Sequence, residues 1–354
     1  MPAHQIYGIG ILGNCCTHGA GVAHQIRNHP RVNLIAGYEK NAGRAAELEE
    51  VMGVSCASSY ERVVRHPDVH IIAITSDPSD KAELVDLATD HGKAVYINKP
   101  LCHNPTAAIR IKDSIQAAGS AAVFDATLVK GLPAFNKLMH QIKKNEYGRI
   151  ITYHHSCGMI FPEDFPIIAR WPERFDPPER SGGGEMTNMG CYGIDYAIHL
   201  LGLPDQVEAR KQTFWKPYIQ AGVENFGQII LDYGDFWATL SVGKQAVSGV
   251  PGKRNALTIE FETGNLFLDP GADTYIENGI AKPLASYIAD HKVKSPIDQL
   301  IDQMEKGIPP ESDIESAVEG VYILCAAYQS IISRRSIRVP LEQPVNPLFE
   351  IYKT

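Results

Sequence analysis

The stretch KAVYINKPLCHNPTAAIRIKDSIQAAG, residues 93–119, decides the fold. Ala94 to Ile97 form a short β-prone run, Asn98-Lys99-Pro100 ends it, and a helical pattern then runs to Gly119. Glycine suits the left-handed position just past a helix, so this reads as one complete strand-to-helix unit. The same unit recurs towards the amino end. Apolar runs at IYGIGIL, VNLIAGY and VHIIAIT alternate with helical patterns at GAGVAHQIRNH, NAGRAAELEEVMG and DKAELVDLATDHG, and a last run, AAVFDA, follows Gly119. Strands that are apolar along their whole length, with helices between them, imply a parallel sheet covered on both faces. Residues 1–126 are therefore expected to form a doubly wound, Rossmann-type α/β domain. Its ligand crevice should lie beyond the carboxyl ends of the strands.

After residue 126 the pattern changes. Longer β-rich segments (QVEARKQTFW, NFGQIILDYG, DFWATLSVGKQAV, NALTIEFETGNLFLD, DTYIENG) follow one another with turn signals between them. That pattern predicts an α+β domain over 127–354, built on a large, mostly antiparallel open sheet. Helices are expected at PAFNKLMHQIKKNEYG, SPIDQLIDQMEKG and ESAVEGVYILCAAYQSIISRR.

The totals agree with two domains, since 354 residues exceed what one hydrophobic core supports. A formal charge of −8 is the wrong sign for neutralising phosphates, which argues against a nucleic-acid partner. No apolar run approaches the roughly 20 residues needed to cross a bilayer. The amino end also lacks the basic start and apolar stretch of a signal peptide. The seven cysteines show no paired zinc spacing, so no metal site is expected, and their odd number suggests reduced thiols in a cytoplasmic protein. Adjacent Cys15 and Cys16 read as two ordinary thiols beside a turn. His154 and His155, in a strand, should point to opposite faces.

The first strand ends in GILGNCCTHGAG, residues 10–21. Gly13 supplies the first glycine of a G-x-G-x-x-G fingerprint, but Cys15 and His18 occupy the second and third places. The alternative frame Gly8, Gly10, Gly13 would put the loop inside the strand and is rejected. Gly13, Asn14, Cys15, Thr17 and His18 are the loop's candidate cofactor contacts, with Thr75, Asn98 and Lys99 at later strand ends. Glu39 closes LIAGYEK, where an acid would receive the ribose hydroxyls of NAD and repel the 2′-phosphate of NADP. Lys40 and Arg44 nearby soften that preference.

A second landmark is SGGGEMTNMGCYGIDYAIHLLGLP, residues 181–204. Asn188, Tyr192, Asp195 and His199 follow i, i+4, i+7, i+11 spacing and share one helix stripe. The three glycines ahead of them are expected to present exposed backbone amides to a polar ligand. Together with the dinucleotide domain and INKP, this helix resembles the glucose-fructose oxidoreductase, inositol dehydrogenase and rhizopine-catabolism (Gfo/Idh/MocA) oxidoreductases over nearly the whole chain. The family's strand-end motif is usually E-K-P, and its helix reads Asp-x-Gly-x-His-x-x-Asp after the glycines. Here Asn98 replaces the glutamate, Asn188 the first aspartate and Tyr192 the histidine, while Asp195 is retained.

The resemblance implies an NAD-dependent oxidoreductase acting on a sugar, sugar derivative or cyclitol, assembled as a homodimer or homotetramer. It implies that Lys99 lies beside the nicotinamide and the substrate, with Tyr192 and Asp195 completing the catalytic set. Lys130, where the family often has arginine, joins Arg170, Trp171 and Asn188 as substrate contacts, whereas His199 reads as structural. Oxidising an alcohol removes a proton as well as a hydride, so the hydroxyl needs a base or a stabiliser of its growing negative charge. Lysine and tyrosine, both titrating near pH 10 when unperturbed, serve once nearby positive charge lowers them. Either can be the proton carrier. Two further readings stay open: a redox-cycling lyase or glycoside-cleaving enzyme that retains its NAD, and a non-catalytic NAD-binding sensor.

Overall fold

The computed structural model describes residues 5–246, 252–342 and 346–348. The chain forms two compact units. The first comprises Met1–Asp125, Ala169–Ser181 and Pro296–Val318; the second comprises Ala126–Ile168, Gly182–Ser295 and Glu319–Thr354.

In the first unit five strands, β1 (Tyr7–Leu12), β2 (Val32–Tyr38), β3 (Ile71–Ile74), β4 (Ala94–Asn98) and β5 (Ala122–Asp125), pair in parallel in the order β2-β1-β3-β4-β5. Apart from the edge strand β2, all are buried along their length, as a sheet covered on both faces requires. The sequence sets the helix limits. Asn41 accepts from the N–H groups of Gly43 and Arg44 at the start of the Ala42–Met52 helix, which Gly53 closes in the left-handed conformation. Asn104 and Pro105 open the Pro105–Ala118 helix and Gly119 closes it. Gly8 and Gly10 lie inside β1, where their job is packing: a Cβ at Gly10 would stand 2.6 Å from Val63 Cγ1. The helix Pro296–Lys306 returns to this unit and sets Ile297, Leu300 and Ile301 into the same apolar cluster as Ile9, Ile71 and Tyr96.

The second unit carries a nine-stranded sheet. Its strands are β6 (Ile150–Phe161), β7 (Gln206–Gln212), β8 (Phe226–Asp232), β9 (Trp237–Ala246), β10 (Gly252–Phe261), β11 (Gly264–Leu268), β12 (Thr274–Glu277), β13 (Ile280–Pro283) and β14 (Ile337–Arg338). Their order is β13-β12-β11-β10-β6-β9-β8-β7-β14. The β6–β9 pair is parallel and every other pairing among the described strands is antiparallel. The helix Gly190–Leu201 belongs to this unit, and its Ile194 and Ile198 share a core with Leu240, Val242 and Ile259. On β6, His155 is fully buried while neighbouring His154 is exposed and bonded to Thr239, as strand alternation dictates. Among the described residues, no helix is long and apolar enough to cross a membrane, and no cluster of His, Cys, Asp and Glu could hold a metal ion.

Candidate active site

In the first unit, β1 runs out at Gly13, whose φ of +92° and closeness to Ser76 (a Cβ would stand 2.6 Å from its N) leave no room for a side chain. A short 3-10 turn, Cys15–Thr17, follows, with Cys16 (φ 50°) and Thr17 (φ 65°) both left-handed. These two residues lengthen the turn by one place before the His18–Arg27 helix begins. The close-packing glycine of the fingerprint is therefore present, one position later than expected. It is Gly19, where a Cβ would overlap the Gly13 carbonyl oxygen. Asn14 is fully buried and shapes the loop: its Oδ1 accepts from Ala20 N (2.9 Å), and its Nδ2 donates to the Arg44 carbonyl (3.0 Å) and Glu47 Oε2 (3.1 Å). Cys15 N donates to the Thr75 carbonyl, and Thr75 Oγ1 donates to the Gly13 carbonyl (2.5 Å).

Glu39 is buried at the end of β2 and already engaged. Oε2 accepts from Asn14 N (2.7 Å), and Oε1 accepts from Asn41 N (2.7 Å) and Arg44 Nη2 (2.9 Å). Arg44 reaches Asp77 (2.9 Å) and Glu173 (3.3 Å) as well, so three carboxylates surround one guanidinium, and Arg180 adds a second cation on Asp77 (2.7 Å). Burial alone would push Asp77 up, but Arg44, then a hydrogen bond with Cys15 and the charge of Arg180, hold it down at about 2. A cleft of about 370 Å³ opens beside this cluster, lined by Asn14, Cys16, Thr17, Arg44, Arg170 and Glu173 among others.

At the end of β4, Lys99 is buried and its bond to Pro100 is cis. Lys81, itself buried, donates from its ammonium to the carbonyls on either side, those of Asn98 and Pro100 (2.5 Å to the latter), while Lys99 N donates to the Asp125 carbonyl (3.1 Å). The backbone around Lys99 is thus held on three carbonyl contacts. Asn98 Nδ2 donates to Asp125 Oδ2 (3.1 Å), but Asn98 Oδ1 is buried with no hydrogen-bond partner among the described residues. A buried, unsatisfied acceptor beside a lysine at a strand end fits a bound polar group. With the glycine turn and the cleft, it fits a dinucleotide.

In the second unit the stripe is interrupted at Met189, where helix Glu185–Asn188 gives way to Gly190–Leu201. The three glycines before it are buried, contrary to the expectation of exposed amides. Their role is close approach: a Cβ on Gly183 (φ +140°) would stand 2.7 Å from Thr187 Oγ1 and from Tyr328 Cζ, and one on Gly184 would stand 2.6 Å from the Glu224 carboxyl. Asn188 is buried and donates from Nδ2 to Glu185 Oε2 (2.6 Å), whose other oxygen meets Tyr218 (2.6 Å) and Lys244 (3.4 Å). Asp195 and Lys130 form a buried ion pair. Nζ donates to Oδ1 at 3.2 Å and approaches Oδ2 to 2.9 Å. His199 stands against the pair, Nε2 3.4 Å from Lys130 Nζ and Nδ1 2.7 Å from the Asp195 carbonyl. Tyr192 is half-buried on the same helix.

The sequence-predicted residues thus fall into two groups. Gly13, Asn14, Cys15, Thr17, His18, Glu39, Thr75, Asn98 and Lys99 lie in the first unit, joined by Arg170 on the cleft wall and Trp171 at the turn beside it. Lys130, Asn188, Tyr192 and Asp195 lie in the second. Sequence reading missed Lys81, Gly19 and the Asp77–Glu173 embrace of Arg44. Lys81 was detectable: with Leu84, Val85 and Ala88 it makes an i, i+3, i+4, i+7 row, all buried, that places a cation on an apolar helix face.

A parallel sheet in this order, a glycine turn beyond β1 and a lysine beyond β4 define a dinucleotide-binding Rossmann protein. Residues 7–125 match the oxidoreductase family described as an NAD-binding Rossmann fold, and residues 135–267 match the GFO/IDH/MocA C-terminal domain. The chain belongs to the Gfo/Idh/MocA family of oxidoreductases.

Among its relatives is the D-xylose 1-dehydrogenase (NADP(+)) 2 of Haloferax volcanii, 25% identical over 206 residues, which are 56% of this chain and 59% of that protein. Another is the NADP(+)-dependent scyllo-inositol 2-dehydrogenase of Bacillus subtilis, 22% identical over 241 residues, 66% of this chain and 62% of that one. Both matches span less than two thirds of the relative. A solved levoglucosan dehydrogenase, in complex with NADH and levoglucosan, has the same fold at a TM-score of 0.77 and 16% identity, covering 95% of this chain and all of that one.

Proposed function

We propose that this protein is a dehydrogenase that uses NAD to oxidise a hydroxyl-bearing carbon of a sugar, sugar derivative or cyclitol. The observation that carries the reading is Lys99, a buried lysine whose flanking carbonyls are fixed by Lys81 beside the unsatisfied acceptor Asn98 Oδ1. Such a clamp positions one ammonium and leaves one buried acceptor for a ligand.

Gly13, the first turn of the His18–Arg27 helix and the cleft wall would hold the cofactor, with Arg170 on its phosphates. A bound nicotinamide dinucleotide supplies the acceptor for the carbon-bound hydrogen and its electron pair. The chain's own part is the proton. Tyr192 takes it from the substrate hydroxyl, and Lys99 stabilises the oxygen as its negative charge grows; the reverse assignment is the alternative. Lys130 holds the Asp195 carboxylate in a fixed orientation for a neighbouring hydroxyl. The three carboxylates already around Arg44 favour NAD, because the 2′-phosphate of NADP would add negative charge where the guanidinium is compensated. The NADP-dependent names of two relatives make this a point to test.

The test is reduced-nicotinamide absorbance, with both cofactors, across sugars, cyclitols and glycosides. The reading expects at least one polyol to produce reduced nicotinamide with a preference for NAD. Product without net reduced cofactor would replace it with the lyase reading. Nucleotide binding with no turnover of any polyol would replace it with the sensor.

A further inference from the structure

Cys15 and Cys16 are not two unrelated thiols beside a turn. Their sulfurs lie 3.8 Å apart, and Cys16 Sγ is 2.9 Å from Arg174 Nε and 3.6 Å from Glu173 Oε2. Arg174 and both cysteines are buried, and of the two cysteines Cys16 is the one among the residues lining the cleft beside the glycine turn. Cys16 and Thr17 are consecutive non-glycine residues in left-handed conformations, which stores local strain in the turn.

We propose that Cys16 is a hydroperoxide-reactive thiolate, and that Cys15 resolves it by closing a disulfide between the adjacent residues. In the first step the Cys16 sulfur attacks one peroxide oxygen. The O–O bond breaks, the sulfur becomes a sulfenic acid, and the other oxygen leaves as water after taking up a proton. In the second step the Cys15 sulfur attacks that sulfenic sulfur, displacing hydroxide that leaves as water with the proton of Cys15. The two thiols lose two electrons, and the hydroperoxide gains them.

The charges around the pair set this division of labour. Burial alone would push the Cys16 thiol up. The hydrogen bond from Cys15 and the Arg174 guanidinium, aided by Lys99 and opposed by Glu173, hold it down at about 7. The hydrogen bond to Cys16 pushes Cys15 well up, with burial and Asp77 in the same direction and Arg174 opposing. In the proposal the attacking sulfur is the one that Arg174 Nε contacts at 2.9 Å, and its neighbour is the resolver. Closing the ring removes the charge on the sulfur that Arg174 Nε contacts and reshapes residues 15–17. Weakened nucleotide binding is the expected consequence, and only this consequence rests on the proposed function.

The experiment exposes the reduced full-length protein to equimolar hydrogen peroxide at neutral pH, with intact and peptide mass spectrometry. The expected product has lost two hydrogens, mapped to Cys15–Cys16. Cys15→Ser should instead yield a Cys16 sulfenic acid that dimedone traps. Arg174→Met should slow oxidation about tenfold at pH 7 by returning the thiol towards its ordinary value, with Arg174→Lys restoring most of the rate. Oxidation of half-buried Cys56 ahead of the pair, or a disulfide formed only after denaturation, would overturn the proposal. NADH fluorescence titration then reads the consequence. Binding should weaken on oxidation and recover with dithiothreitol, and unchanged binding by the disulfide form would overturn the link to the cleft. Failure of the reduced protein to bind NADH would sink the functional reading instead, while the mass shift still decides the thiol chemistry.

Discussion

Replacing Lys130 with methionine should strand a carboxylate in the core of the second unit. Lys130 and Asp195 are each 3% exposed at the side chain, and their charges approach to 2.9 Å. At that distance, with an effective dielectric near 20, the attraction is roughly 6 kcal/mol. Methionine preserves most of the lysine's volume, so lost packing contributes little. The cost is the uncompensated buried charge, about 3–5 kcal/mol. His199 is a poorer counter-charge, because its Nδ1 bonds the Asp195 carbonyl at 2.7 Å and stands 3.7 Å from the carboxylate Oδ1. The assay is guanidinium denaturation of Lys130→Met, Asp195→Leu and the double variant, read as a double-mutant cycle. Each single change should be strongly destabilising, whereas the double should lose about 1.5 kcal/mol or less, since a neutral apolar pair removes both charges together. Simple additivity of the two singles, or a Lys130→Met loss below about 1 kcal/mol, would refute the reasoning.

Three further predictions concern the first unit. Lys81→Met removes the clamp on the carbonyls around Lys99, so steady-state turnover should fall about tenfold or more while NADH affinity, by fluorescence titration, changes little. Gly19→Ala places a methyl against the Gly13 carbonyl and should weaken NADH binding about tenfold, with Gly21→Ala, where nothing lies within 4 Å, as the neutral control. Asp77 is held at about 2, below its ordinary value, so the stability it contributes is present above roughly pH 4 and lost as the pH falls towards 2. That contribution is roughly 2 kcal/mol, and Asp77→Asn should flatten the acid limb of a Tm-against-pH curve over that interval.

The doubly wound sheet was legible because β3, β4 and β5 are apolar runs bounded by helix caps and glycines, signals carried within a few residues. The large second sheet was legible as a class, but its order was not. The long-range β6–β9 and β6–β10 pairings join segments about 80 to 110 positions apart, and no local pattern specifies them. The return of residues 169–181 and 296–318 to the first unit was equally silent, though the apolar face of Pro296–Lys306 announced a buried helix. At the site, the lysine and its proline stood out by motif. Gly19 was hidden because the turn gained a residue through two left-handed non-glycine positions, a conformation that side-chain identity does not advertise. The exposed-amide reading of residues 182–184 failed because what the glycines accommodate, Thr187, Glu224 and Tyr328, comes partly from segments far along the chain.

The most direct measurement of the account compares wild type, Lys99→Met and Tyr192→Phe on the best polyol found, with reduced-nicotinamide production and NADH affinity recorded for each. The account predicts that both variants lose at least about a hundredfold in turnover while NADH affinity stays within a few-fold, the range a positioned proton-transfer group supplies. Unchanged turnover in either variant, or turnover and nucleotide affinity falling together, would contradict it.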